Sequence, residues 1–176
     1  GLVEQLCQRC PSLCNVPSTD GCLPLHLAAR YGSEPIRALL LGCDVEGIAS
    51  ISPWSADFGR LPVHILCRSG ALSKTLIAWL TKALHAKNLE LGADRLLDAD
   101  GCTPLHHACW GLGLTGDAVR YFGLIETLTK RWGVSLDAPM DSKGRSPRAA
   151  ALCGMYAATV RPLLDQLEQF YESHEF

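Results

Sequence analysis

The sequence predicts an all-α solenoid, in which helix-turn-helix units stack side by side with hairpin loops between them. Three observations lead to that class. One short pattern occurs four times: Gly21-Cys-Leu-Pro-Leu-His-Leu-Ala28, Gly59-Arg-Leu-Pro-Val-His-Ile-Leu66, Gly101-Cys-Thr-Pro-Leu-His-His-Ala108 and the degenerate Gly144-Arg-Ser-Pro-Arg-Ala-Ala-Ala151. Its leading glycines lie 38, 42 and 43 residues apart, and self-similarity at such periods marks a repeat stack rather than one closed core. Apolar residues at helical spacing then follow individual copies: Leu72, Leu76, Ile77, Leu80 and Leu84 after the second, and Val119, Phe122, Ile125 and Leu128 after the third.

The third copy resembles the ankyrin repeat, whose signature contains Thr-Pro-Leu-His-x-Ala. Its flank Leu91-Gly-Ala-Asp-Arg-Leu-Leu-Asp-Ala-Asp-Gly101 is similar to the family's hairpin loop, and Leu41-Gly-Cys-Asp-Val45 and Trp132-Gly-Val-Ser-Leu136 repeat the start of that loop. The resemblance spans nearly the whole chain. It implies a single ankyrin-repeat domain over 1–176: a partial repeat at 1–19, then repeats at about 20–57, 58–99, 100–142 and 143–176, the last carrying a C-terminal capping helix. Every unit exceeds the family period of about 33 residues.

Each element has its own justification. Residues 2–20 read as the outer helix, to about Cys10, and the hairpin of a preceding repeat. Pro24, Pro62, Pro104 and Pro147 each suit the first turn of an inner helix, where the missing N–H costs nothing. Thr103 and Ser146 are good N-caps, whereas Leu23 and Leu61 are not. Ser33 and Thr159 read as starts of outer helices, the first running from Glu34 to about Leu41. The extra length of the first unit falls in a loop at 46–55, and that of the second in a long outer helix reaching about Lys87. Gly111-Leu-Gly-Leu-Thr-Gly116 reads as a lengthened turn. The final helix carries Leu163, Leu164, Leu167, Phe170 and Tyr171 against acidic and amide residues on other faces, as a terminal cap requires. The N-terminal helix has no such polar cap, which implies that more protein or a partner covers that end. The chain opens on Gly1, with neither Met nor signal peptide, and reads as a fragment or processed form of something longer.

Composition narrows function. Sixteen basic against eighteen acidic residues give a charge of −2, which lacks the cationic excess of a nucleic-acid binder. No run of eighteen apolar residues occurs, so no membrane span is expected. In an intracellular repeat protein of this kind, nine cysteines read as reduced thiols in small apolar sites and not as a disulfide framework; the cytoplasm is the expected compartment, with the nucleus or an organelle interior as alternatives.

Several residues invite chemistry. By the resemblance, His26, His64 and His106 hydrogen-bond backbone or hydroxyl groups that tie one repeat to the next. Metal ligation does not suit them: stacked helix pairs hold equivalent residues on the order of 8–10 Å apart, far beyond the ~2.1 Å of a zinc–nitrogen bond. Cys7, Cys10 and Cys14, followed by Cys22, could supply four thiolates to zinc. The helical spacing of 7, 10 and 14 and the turn-like Cys10-Pro-Ser-Leu-Cys-Asn15 weigh against this, and the expectation is no metal and no cofactor. Cys67 and Cys109 stand where the family places Ala and read as small buried hydrophobes. Gly111-x-Gly113-x-x-Gly116 follows no strand, so it is no dinucleotide loop. No nucleophile elbow occurs, and no small-molecule substrate is expected.

The resemblance implies a protein partner on the concave side. Arg30 and Tyr31, Arg68 and Ser69, and Trp110 follow the small residues of successive inner helices, with Cys153 and Gly154 in the last unit. Thr19, Asp57, Phe58, Asp100 and Lys143 sit at hairpin tips, and Trp54 in the enlarged loop. Arginine and aromatic side chains dominate binding hot spots, although Trp110 could equally pack on its own turn and arginines lie along neighbouring surface. The leading function is a non-catalytic interaction module, as adaptor or fixed subunit of an assembly; the alternative is the accessory domain of an enzyme whose catalytic part lies elsewhere, and a lesser third is a zinc-stabilised regulator built on the N-terminal cysteines.

Overall fold

The computed structural model describes residues 1–43, 59–71, 96–138 and 140–172. Among these, eight α-helices and no strands occur: α1 Leu2–Arg9, α2 Pro24–Tyr31, α3 Glu34–Cys43, α4 Pro62–Ser69, α5 Pro104–Thr115, α6 Ala118–Trp132, α7 Pro147–Leu152 and α8 Ala157–Glu172. A 3-10 turn, Pro11–Asn15, follows α1. The helices α2, α4, α5 and α7 pack successively as an inner row, with α3, α6 and α8 behind α2, α5 and α7.

The repeated pattern explains the inner row. Each of its helices begins at the pattern's proline, after a residue held extended at ψ between 155° and 166°, the conformation that a following proline enforces. Thr103 Oγ1 accepts the His106 N–H at 3.3 Å and Ser146 Oγ the Ala149 N–H at 3.2 Å, both as caps. The leading glycines 21, 59, 101 and 144 all have φ between 62° and 74°, a left-handed turn that a Cβ would strain.

Helix α4 is a party wall between two cores. Ile65 and Leu66 pack into a cluster with Cys7, Cys14, Leu25, Ala29, Leu40 and Leu41. Val63 and Cys67 join a second cluster containing Leu105, Cys109, Tyr121, Ile125, Leu128, Val160 and Leu164.

The structure departs from sequence expectation in four places. Gly111–Gly116 is not a turn, since α5 continues through it to Thr115. A Cβ at Gly111 would strike the Arg68 carbonyl and the Tyr121 ring, and one at Gly113 the backbone of Ala151, so these glycines permit close helix approach. In α6 the buried face is Tyr121, Leu124, Ile125 and Leu128, while Val119 is 96% exposed. Helix α8 begins at Ala157, not beyond Thr159, and holds Pro162 within it. That start puts Val160, Leu164 and Leu167 on one buried face. Finally, Cys10 is exposed and does not share a face with Cys7 and Cys14, because α1 stops one residue before it, where Pro11 follows. The enlarged loop at 46–55 with Trp54, the tip residues Asp57 and Phe58, and the long outer helix expected from Leu72 lie outside the described residues.

In the last unit Arg148 takes the place of the pattern's apolar residue. It pairs with Asp137 at 2.9 Å, Asp165 at 3.0 Å and Glu168 at 2.8 Å, tying the last two helices to the preceding loop.

Candidate functional site: a cationic face around Trp110

Two sets of backbone bonds fix this face. Leu23, Leu61 and Thr103 each donate an N–H to the Nδ1 of the histidine three residues on, at 2.9–3.1 Å. Nδ1 is therefore the acceptor and Nε2 carries the proton. Nε2 donates onward to the carbonyls of Arg60, Leu96 and Arg145, at 3.0, 2.9 and 3.0 Å. Each ring thus spans 32 to 39 residues and locks one unit to the next. Burial pulls the pKa of all three below the ordinary histidine value, that of His64 to about 3, where the neighbouring His107 adds to the effect.

The hairpin tips use a second staple. Asp98 Oδ1 accepts the N–H groups of Asp100 and Cys102, both at 2.9 Å. Asp141 Oδ1 accepts those of Lys143 and Arg145, both at 2.8 Å, and Ser18 Oγ that of Cys22 at 3.2 Å. The acidic side chains also reach toward the groove. Asp98 Oδ2 accepts the Nε2–H of His107 at 2.8 Å and lies 4.0 Å from Arg60 Nε. Asp141 Oδ2 takes Arg145 at 2.8 and 2.7 Å. Burial works to raise the Asp98 pKa, but the His107 bond and the Cys102 N–H outweigh it and hold the carboxyl below its usual range. His107, fully buried, is itself lowered by burial despite Asp98. The pair is a carboxylate and a neutral imidazole, and His107 Nδ1 has no hydrogen-bond partner among the described residues.

On this frame stands Trp110. The Arg68 guanidinium lies 5.4 Å and that of Arg145 5.1 Å from the ring centroid, both within cation–π range. His107 meets the indole edge-on at 5.3 Å. Trp110, Arg60, Arg68, Asp100, Lys143 and Arg145 line a hollow of about 360 Å³ with Leu114, Ala150, Cys153 and Gly154. An adjoining hollow of about 220 Å³ is lined by Arg30, Arg60, Ile65, Arg68, Ser69 and His107. Partial burial and the charge of Arg60 both work against the Arg68 cation and lower its pKa.

Of the residues expected from sequence, the structure brings Arg30, Arg68, Ser69, Trp110 and Asp100 to these two hollows, and Lys143, Cys153 and Gly154 with them. Tyr31 does not join them: it is 78% exposed, with the Arg30 guanidinium 5.9 Å from its ring. Phe58 and Trp54 lie outside the described residues. Sequence reasoning passed over Arg60, Arg145, His107, Asp98 and Asp141. A signal existed for each. Arg60 and Arg145 hold the same repeat position, His107 replaces the aliphatic Leu27 and Ile65, and Ser18, Asp98 and Asp141 all stand three residues before the tip glycine.

Stacked helix pairs, histidine staples and glycine-tipped hairpins define a helical repeat protein. The family model described as ankyrin repeats (3 copies) matches residues 25–126, more than half of the chain, and the chain belongs to the ankyrin-repeat family. No curated protein matches it. Ankyrin repeats are generally protein–protein interaction modules and are typically non-catalytic. Among the described residues, no helix is long and apolar enough to cross a membrane.

Proposed function

We propose that the chain is a non-catalytic interaction module, an adaptor or fixed subunit inside the cell, and that its partner presents an acidic segment to the Trp110 face. The observation that carries this is the gathering of Arg30, Arg60, Arg68, Lys143 and Arg145 around two adjoining hollows and one indole, on a chain whose net charge is −2. Asp98 and Asp141 give Oδ1 to hairpin N–H groups and turn Oδ2 to His107, Arg60 and Arg145; with Asp100 also at the lining, five basic side chains stand against three acidic ones. Acidic groups meet such a face by charge complementarity, and the half-buried indole offers an apolar anchor beside them. The intracellular placement is supported by Cys67 and Cys109, which fill interior positions as thiols.

The test uses short fluorescent peptides, one rich in Asp and Glu and one of the same length rich in Lys, titrated against the chain and against the double variant Arg68→Ala/Trp110→Ala. The acidic peptide binds and the basic one does not, and the double variant loses about thirtyfold in affinity, a hot-spot loss, with its far-ultraviolet helical signal intact. Equal affinity for both peptides, or an unchanged double variant, refutes the assignment.

A further inference from the structure

Two short elements at the N-terminal end are packed inside out. Helix α1 buries one side chain, Cys7, and the following 3-10 turn buries one, Cys14. The larger apolar residues of the same two elements face outward: Leu2 is 72%, Leu6 47% and Leu13 49% exposed. Were the thiols only small hydrophobes, leucine would serve the interior better, since burial free energy grows with apolar area. An eight-residue helix is also too short to hold itself in water. These two elements therefore rest on what their sulfurs meet.

Beside the apolar side chains of the front cluster, they meet each other and a third thiol. The Sγ atoms of Cys7 and Cys14 are 3.7 Å apart. Cys43, the last residue of α3, brings its Sγ to the same point, and all three sulfurs lie within 4.8 Å of one another. A zinc–sulfur bond of about 2.3 Å at the tetrahedral angle separates two sulfurs by about 3.8 Å. The Cys7–Cys14 pair already has that spacing, and small side-chain rotations bring in Cys43. The three ligands come from three different elements, so one ion would join α1, the 3-10 turn and α3. This trio differs from the Cys7, Cys10, Cys14 and Cys22 set that sequence spacing suggests: Cys10 is exposed and Cys22 is not in the cluster.

We propose that Cys7, Cys14 and Cys43 form a structural site for a thiophilic d10 cation, Zn2+ or Cu(I), that fastens the N-terminal helix to the stack. Thiolate sets select these two ions. Cu(I) is satisfied by three sulfurs, and Zn2+ completes a tetrahedron with water. On binding, three sulfur–metal bonds form and each thiol releases its proton to solvent. The site is independent of the Trp110 face, so either proposal stands if the other fails.

The experiment loads the full chain with Zn2+ alone, or Cu(I) alone, under anaerobic conditions with a phosphine reductant, and counts metal per chain after gel filtration. One equivalent is retained, and competition with a Cu(I)-selective chelator tells which ion holds. Cys7→Ser, Cys14→Ser and Cys43→Ser each weaken binding at least about a hundredfold, while Cys10→Ser and Cys22→Ser leave it unchanged. Co2+ in place of Zn2+ gives a sulfur-to-cobalt charge-transfer band that Cys43→Ser abolishes. Alkylation mapped on the wild-type chain needs no variant: metal shields the partly exposed Cys43, while Cys10 and Cys153 react regardless. A wild-type chain that retains no metal overturns the proposal, as does metal that survives Cys43→Ser.

Discussion

His26, His64 and His106 combine two jobs on one ring: Nδ1 takes the N–H that opens its own helix, and Nε2–H reaches the carbonyl of the next unit. Both jobs require the neutral imidazole, and His107 is kept neutral by burial against the pull of Asp98. Their pKa values are lowered, burial first. A group of this kind stays neutral in the folded chain while the unfolded chain takes up a proton below its ordinary value of about 6.5. Its stabilisation is therefore complete above that pH and declines below it, by up to about 1.4 kcal/mol per pH unit for each histidine. The decline continues to about pH 3 for His64. Asp98, whose pKa is depressed, adds a further loss as pH falls below the ordinary carboxylate value of 3.8. Thermal melts at stepped pH should thus hold level above neutrality and fall steadily from about pH 6.5. A melting temperature unchanged down to about pH 5 would contradict the neutral-staple assignment. The repeat histidines were legible in the sequence because the pattern recurs in register. His107 left a signal that was passed over, a polar ring where Leu27 and Ile65 stand, nine residues after its partner Asp98; Cys43 left none, because its meeting with Cys7 and Cys14 is set by how three elements pack and no local spacing encodes that.

At the scale of elements, α5 and α6 show how glycine misleads and how to separate its roles. The Gly111–Gly116 stretch carries turn composition, yet it is helical through Thr115 because α4, α6 and α7 approach too closely for side chains at Gly111 and Gly113. Gly123, midway along α6, has nothing within 4 Å of an added Cβ. Two substitutions of identical chemistry should then act in opposite directions. Gly113→Ala drives a methyl into the backbone of Ala151 and should cost about 2 kcal/mol despite better helix propensity. Gly123→Ala should add about 0.8 kcal/mol, because it only removes chain entropy from the unfolded state. Urea denaturation of both variants decides it, and loss of stability in the second would mean that the α6 surface is wrongly drawn. The same elements show the limits of periodicity. Val119, Phe122, Ile125 and Leu128 fit a helical face one residue away from the real one, because Tyr121 buries its ring and donates its hydroxyl to the Arg68 carbonyl at 2.6 Å.

For the whole molecule, the net charge conceals its own distribution. A chain at −2 overall gathers four arginines and a lysine on the face formed by inner helices and hairpin tips. Attraction of an acidic peptide to that face should weaken about tenfold between about 50 and about 500 mM NaCl, mostly through slower association. Surface plasmon resonance at both salts reads this directly, and a salt-independent on-rate would show that contact is apolar and centred on Trp110 alone. Repeat proteins distribute stability unit by unit and lose it from their ends. Here α4 turns Ile65 and Leu66 one way and Val63 and Cys67 the other. Damage that begins beside Cys7 can strip the front of the stack only as far as this helix, and the rear, still seated on Val63 and Cys67, keeps its grip. The chain is built like a ship with one bulkhead: flooding of the bow does not by itself sink the stern.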